Sequence, residues 1–128
     1  MLIHEKEILM SSEFIDSNNH VNNVQFVHWV EMMAGEHWDL LKHNSKYAQN
    51  VWFLVDHHIQ YKKQVYLGEK LLLRTYPENP EGIRQPRKVE FYKEGELVVD
   101  SRTQWIMINP ETERIVRIEK DWLDELYD

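Results

Sequence analysis

One segment constrains the fold more than any other. Between residues 24 and 42 apolar side chains recur at helical spacing: Val27, Val30, Ala34, Trp38 and Leu41 share one stripe, and Phe26, Trp29, Met33 and Leu40 form a second beside it. An apolar surface that wide needs cover on most sides. No second long helix is legible anywhere in the 128 residues to supply it. A lone helix of this kind is buried only if a sheet curls around it, which predicts an α+β fold with one central helix.

The flanking segments read as that sheet. Residues 2–14 carry Ile3, Ile8, Leu9 and Met10 among charged positions and form a plausible first strand. Residues 43–50 are a polar connection, and everything beyond them reads as strands joined by short turns. Residues 51–65 are rich in β-branched and aromatic types. Leu67-Gly68-Glu69 is a turn, residues 70–76 a strand, and the run from Pro77 to Gly82 a break. The sheet resumes at 87–92, and Lys93-Glu94-Gly95-Glu96 has hairpin chemistry. Residues 97–109 alternate, with Trp105 and Met107 on one side; 115–118 form a short last strand and 119–127 a terminal helical segment. No repeat or linker appears, so residues 1–128 are read as one domain. A sheet wrapped on one helix leaves a face and edges uncovered, and a homo-oligomer is expected.

Composition removes several function classes. The net charge of −7 opposes bulk attraction to nucleic acid or anionic membranes. Cysteine is absent, which excludes disulfides, thiolate metal sites and a cysteine nucleophile. No signal-peptide pattern or membrane-length apolar run is present, and a cytoplasmic protein is the default expectation.

The densest chemistry lies just before the helix. Asp16-Ser-Asn18-Asn-His20-Val-Asn22-Asn23 gathers a carboxylate, amides and an imidazole, and either Asn22 or Asn23 suits the helix N-cap. Polar groups this crowded cost stability unless each finds a partner. Helix N-terminal N–H groups lack intrahelical acceptors and lie at the positive end of the macrodipole, so the junction suits developing negative charge. A carboxylate beside such donors can attack a carbonyl or activate water while the donors hold the oxygen.

These residues carry a resemblance. Asp-x-Asn-x-His-Val-Asn-Asn-Val-x-aromatic-aliphatic-x-Trp-aliphatic-Glu, from Asp16 to Glu31, resembles the active-site segment of hot-dog-fold acyl thioesterases. It is similar both to the 4-hydroxybenzoyl-CoA thioesterase type and to acyl-ACP thioesterases. The stretch from Ile59 to Glu69 is similar to that family's second strand and following turn, and residues 105–109 with Thr112 resemble its penultimate strand and turn. The resemblance implies five or six antiparallel strands around one long helix, assembly into homodimers or homotetramers with sites between subunits, and hydrolysis of an acyl-CoA or acyl-carrier-protein thioester without metal or organic cofactor. It casts Asp16, Asn18, His20 and Asn23 as catalytic. Asp16 is the attacking or water-activating carboxylate, and the Asn23 backbone N–H is the holder of the thioester oxygen. Asn22, Phe26, Gln64, Lys62, Lys63 and Arg87 are cast as substrate contacts. Two positions depart from the pattern. Asn19 stands where CoA-type members carry Gly. Gln64 stands near the catalytic Glu of acyl-ACP members, which leaves the Asp-centred mechanism without a second carboxylate.

Each role has a plainer rival. Asp16 can be a turn carboxylate, and His20 either orients Asp16 or satisfies backbone at the bend. Glu31 is expected to face the buried side of the helix and make a structural hydrogen bond. The basic residues Arg84, Arg87 and Lys88, with Lys62-Lys63, either receive CoA phosphates or a carrier's acidic face, or are solvated strand positions. Trp29, Trp38 and Trp105 are core residues or walls of an acyl pocket. His57 and His58, adjacent in a strand, point to opposite faces and cannot share a metal. Two other functions stay open: a non-catalytic acyl- or aryl-CoA-binding protein that keeps the fold, and a hydratase or dehydratase on the same scaffold.

Overall fold

The computed structural model describes residues 2–126. Strand β1 (His4–Leu9) leads through a short 3-10 turn and a polar loop into helix α1 (Asn23–Leu41). Then come β2 (Val51–Tyr61), β3 (Lys70–Pro77), β4 (Arg84–Lys93), β5 (Glu96–Ile108) and the two-residue β6 (Ile115–Val116). The strands form one antiparallel six-stranded sheet in the order β1-β3-β4-β5-β2, with β6 paired to the end of β5. One long helix against an antiparallel sheet is the architecture expected from the apolar pattern. A 3-10 turn at Trp122–Leu126 closes the described chain, and Tyr127, expected in a terminal helical segment, lies outside the described residues.

Register shows how the sheet changes character beneath the helix. Leu73, Phe91 and Val99 lie abreast on β3, β4 and β5, and the next inward row is Thr75, Val89 and Ser101. Beyond it come Arg87 opposite Thr103, then Gln85 opposite Trp105. The first rows meet Phe26, Trp29, Val30 and Met33 in a fully apolar core. The later rows lie toward His37 and Trp38 and are largely polar, although Thr75, Gln85, Arg87, Ser101 and Thr103 are all buried. A second cluster of Tyr47, Met107, Ile118, Trp122 and Leu126, backed by Trp38 and Trp52, closes that end.

Several elements depart from the sequence reading. The buried residues of α1 are Phe26, Trp29, Val30, Met33, Ala34 and His37, a single face drawn from both expected stripes. Leu40 is 63% exposed, and Glu31, expected to face inward, is exposed. The sheet covers one side of the helix, and Glu31, Gly35, Asp39 and Leu40 on the other side are exposed. Strand β2 ends at Tyr61, short of residue 65. There the Lys62 and Lys63 amides both turn onto the Val98 carbonyl, and Val65 accepts from the loop before α1 instead of a strand. Strand β4 begins earlier than expected, at Arg84. The β4–β5 hairpin turns through Glu94 and Gly95 at φ +50° and +81°, the left-handed pair that a tight two-residue hairpin demands. Among the described residues no helix is long and apolar enough to cross a membrane.

Candidate active site

The polar loop before α1 is a small folded hairpin. Ile15 and Val21 form an antiparallel bridge, and the Asp16 amide donates to the His20 carbonyl at 2.9 Å. The Asp16 carboxylate closes the bend: Oδ1 accepts from the Asn18 amide at 2.9 Å and from the His20 amide at 3.2 Å. Asn19 takes φ +64°, a left-handed geometry that asparagine tolerates better than most non-glycine residues. This accounts for an asparagine where CoA-type sequences carry glycine.

The loop is anchored on both sides. Val21 donates to the Val65 carbonyl at 2.8 Å and Asn22 to the Phe14 carbonyl at 2.9 Å. The His20 ring meets Tyr66 edge-on at 5.2 Å. Both supports precede Gly68-Glu69, whose backbone pairs with Met10. Tyr66 itself is held by the Glu69 carboxylate, which accepts its amide at 2.7 Å and bridges Lys93 at 3.0 Å.

Three groups at the junction are left uncommitted. Asn22 is the N-cap: its Oδ1 accepts from Val24 at 2.9 Å, and its carbonyl accepts from Gln25. The Asn23 backbone N–H, first in the helix, has no acceptor among the described residues, and neither Asp16 Oδ2 nor the Asn18 side chain has a hydrogen-bond partner. Asp16 is thus at once the turn carboxylate, through Oδ1, and a half-buried carboxylate with a second oxygen to spare. Gln64, exposed, directly precedes Val65 in the strap that holds this loop.

The remaining candidates lie elsewhere. Phe26 is 2% exposed and packs edge-on against Trp29, Tyr61 and Phe91, so it belongs to the core beneath the helix start. Lys62 and Lys63 are exposed just past β2, and Lys63 is paired with Glu96 at 2.8 Å. The expected basic cluster does not form. Arg84 reaches Gln104, Lys88 pairs with Asp100, and Arg87 points inward, 8% exposed. Alternation in β4 puts Arg87 on the same face as Val89 and Phe91, away from any surface shared with Lys62 and Lys63. Sequence reasoning also passed over Tyr61, whose hydroxyl reaches the Asn23 carbonyl at 3.4 Å, and Tyr66. Their adjacency to the loop is a long-range pairing with no local signal.

Arg87 is held by neutral groups. Its Nη1 donates to His37 Nδ1 at 2.8 Å and to Thr75 Oγ1 at 3.0 Å. Burial, together with the Arg87 and His4 charges, pulls His37 down from 6.5 to about 3, so it stays an acceptor at neutral pH. An unfolded chain binds a proton at this histidine below about pH 6.5 and the folded chain does not, so stability falls with pH between those limits. From pH 7 to pH 5 the loss at His37 is about 2 kcal/mol. Urea midpoints at the two pH values measure it, and His37→Asn, which keeps an acceptor, should remove that share of the slope.

Comparisons agree with this geometry. A helix cradled by an antiparallel sheet is the architecture of the hot-dog class of proteins. The acyl-ACP thioesterase N-terminal domain family matches residues 2–126. The chain belongs to that family, whose members hydrolyse thioesters. Among solved structures it is similar to an acyl-ACP thioesterase of Bacteroides thetaiotaomicron, at TM-score 0.84 and 19% identity over 99% of this chain and 54% of that one. It is also similar to a DHNA-CoA thioesterase of Staphylococcus aureus, at TM-score 0.76 and 22% identity over 98% and 89%. A hypothetical protein of Staphylococcus aureus in complex with CoA aligns at TM-score 0.80 and 18% identity over 97% and 81%. At these identities the likeness speaks to the fold. No curated protein matches the sequence.

Proposed function

We propose that the chain hydrolyses an acyl thioester, acyl-CoA or acyl-carrier-protein, at the junction of the polar loop and α1, with Asp16 as nucleophile or general base. The observation that carries this reading is the pairing of a carboxylate having one free oxygen with an unspent helix-start N–H at Asn23. Asp16 Oδ2 attacks the carbonyl carbon or deprotonates a water that does so. The oxygen that gains charge is received by the Asn23 N–H at the positive end of the helix. A thiolate leaves with little need of a general acid, which suits a site with one carboxylate and with Gln64 where acyl-ACP members have Glu. His20 and Asn18 complete the bend that aims Asp16. Lys62, exposed and without an ion-pair partner among the described residues, lies on the strap past Tyr61, where a phosphate of the carrier arm could be received.

The experiment is release of free thiol from a panel of acyl-CoA and acyl-pantetheine thioesters of varied chain length and aromaticity. Steady turnover of at least one class is expected. The second reading, a binding protein without turnover, is favoured by the missing second carboxylate, and it predicts saturable acyl-CoA binding with no thiol released from any member of the panel.

The oligomer is part of the same proposal. Strand β2 is the outer edge of the sheet, and Val51, Phe53 and Val55 on it are exposed, Phe53 by 55%. An exposed apolar edge is a template for pairing with a second chain. Sedimentation should find dimers or tetramers, and Phe53→Asp should shift the protein to monomer without unfolding it. A wild-type monomer at high concentration would rule the assembly out.

A further inference from the structure

A cavity lies away from Asp16. It has a volume of about 510 Å³; its walls include Trp38, Trp52, Trp105 and Trp122, with Gln85 and Arg87 from β4 and Glu31 and Lys42 from the helix side. On α1 it begins at Glu31, eight residues past Asn23, or roughly 12 Å along the helix axis, and Arg87's partner His37 lies farther still.

Several polar groups around it are committed inside the protein. Trp122 Nε1 donates to Gln85 Oε1 at 2.8 Å, Gln85 Nε2 donates to the Glu78 and Pro86 carbonyls, and Trp105 Nε1 donates to Thr103 Oγ1 at 2.8 Å. Arg87 is only partly committed: Nη1 has acceptors, whereas Nε and Nη2 have none among the described residues, and the side chain borders the cavity. No carboxylate lies within ion-pair distance of it among the described residues. Glu31 also lines the cavity, where its charge acts on His57. A buried cation with only neutral partners is costly, and an anion bringing two oxygens to the guanidinium fork relieves that cost. Burial brings Arg87 down to about 10, which keeps it charged at neutral pH.

We infer that this tryptophan-walled cavity is a binding site for an organic carboxylate with an aromatic or similarly flat apolar body, its carboxylate paired to Arg87 Nε and Nη2 and its body stacked among the indoles. The site is separate from the thioester-cleaving junction and does not depend on that assignment. A bare inorganic anion would leave the aromatic walls unused, and a neutral hydrocarbon would leave the guanidinium unpaired.

The test is titration of the wild-type protein with 3-phenylpropionate and, in parallel, with its neutral isostere 3-phenylpropionamide, followed by tryptophan fluorescence and by calorimetry. The acid is expected to bind saturably and at least about tenfold tighter than the amide, as a charge-assisted fork requires. Arg87→Met should erase that preference and leave amide binding within about threefold of wild type. Because the acid–amide comparison is made on wild-type protein, the inference stays testable even if Arg87→Met fails to fold. Equal binding of acid and amide, no saturable response to either, or a preference retained in Arg87→Met would overturn it. None of these outcomes bears on thiol release, so failure here and failure of the thioesterase assignment are distinguishable.

Discussion

Asp16→Asn should lower kcat/KM for the best thioester by about a hundredfold to ten-thousandfold while leaving the melting temperature nearly unchanged. The reasoning turns on the two carboxylate oxygens. Asparagine keeps an Oδ1 that accepts from the Asn18 and His20 amides, so the bend survives. It loses the negative charge that, in the proposed mechanism, attacks the carbonyl or takes a proton from water, and losses of such groups typically fall in this range. Asp16→Ala removes both roles and should add a stability cost of about 1 kcal/mol for the vacated turn. If Asp16→Ala is inactive but Asp16→Asn is as active as wild type, Asp16 serves the bend alone. Matched kinetics and thermal melts of the two variants separate these outcomes.

Phe91→Ala is expected to destabilise the fold by about 3–5 kcal/mol. Phe91 is fully buried in β4, the middle strand of the sheet, abreast of Leu73 and Val99, with Phe26 edge-on at 5.2 Å and Trp29 at 6.4 Å. Its removal opens a cavity under the first turns of α1, where rigid neighbouring rings cannot collapse to fill it. Because the helix start rests on this layer, activity should fall as well, through lost positioning of Asn23. Urea unfolding gives the number; a loss below about 1 kcal/mol would mean that the helix is not seated on this row.

Much of the architecture was legible because it is local. The helix follows from 3.6-residue periodicity, and the hairpin from Glu94-Gly95. The junction of polar loop and helix follows from capping chemistry, with Asn22 taking the N-cap. What failed was non-local. The inward face of α1 was read as two stripes because Leu40 and Val27 are apolar, but a sheet reaches only one side of a cylinder, and Leu40 falls outside it. Glu31 was placed inside for the same reason. Arg87 was read with Arg84 and Lys88 as a surface charge run, although period-two alternation from Val89 and Phe91 already put it on the inner face. The straps from Tyr61 and Tyr66 to the loop had no sequence trace, since they depend on how β2 ends. The carboxylate at the helix mouth could be picked out because its chemistry is compressed into eight residues. The tryptophan cavity could not, because its walls come from five separate segments.

The claim on which the account rests is that the thioester carbonyl sits at the loop–helix junction. The most direct measurement is a structure of the protein with a non-hydrolysable acyl-CoA analogue in which a methylene replaces the thioester sulfur, leaving the carbonyl intact. The account predicts the carbonyl oxygen about 3 Å from the Asn23 backbone nitrogen, with Asp16 Oδ2 facing the carbonyl carbon directly or across one water. A carbonyl lodged among the tryptophans, or anywhere beyond reach of Asp16, would contradict it.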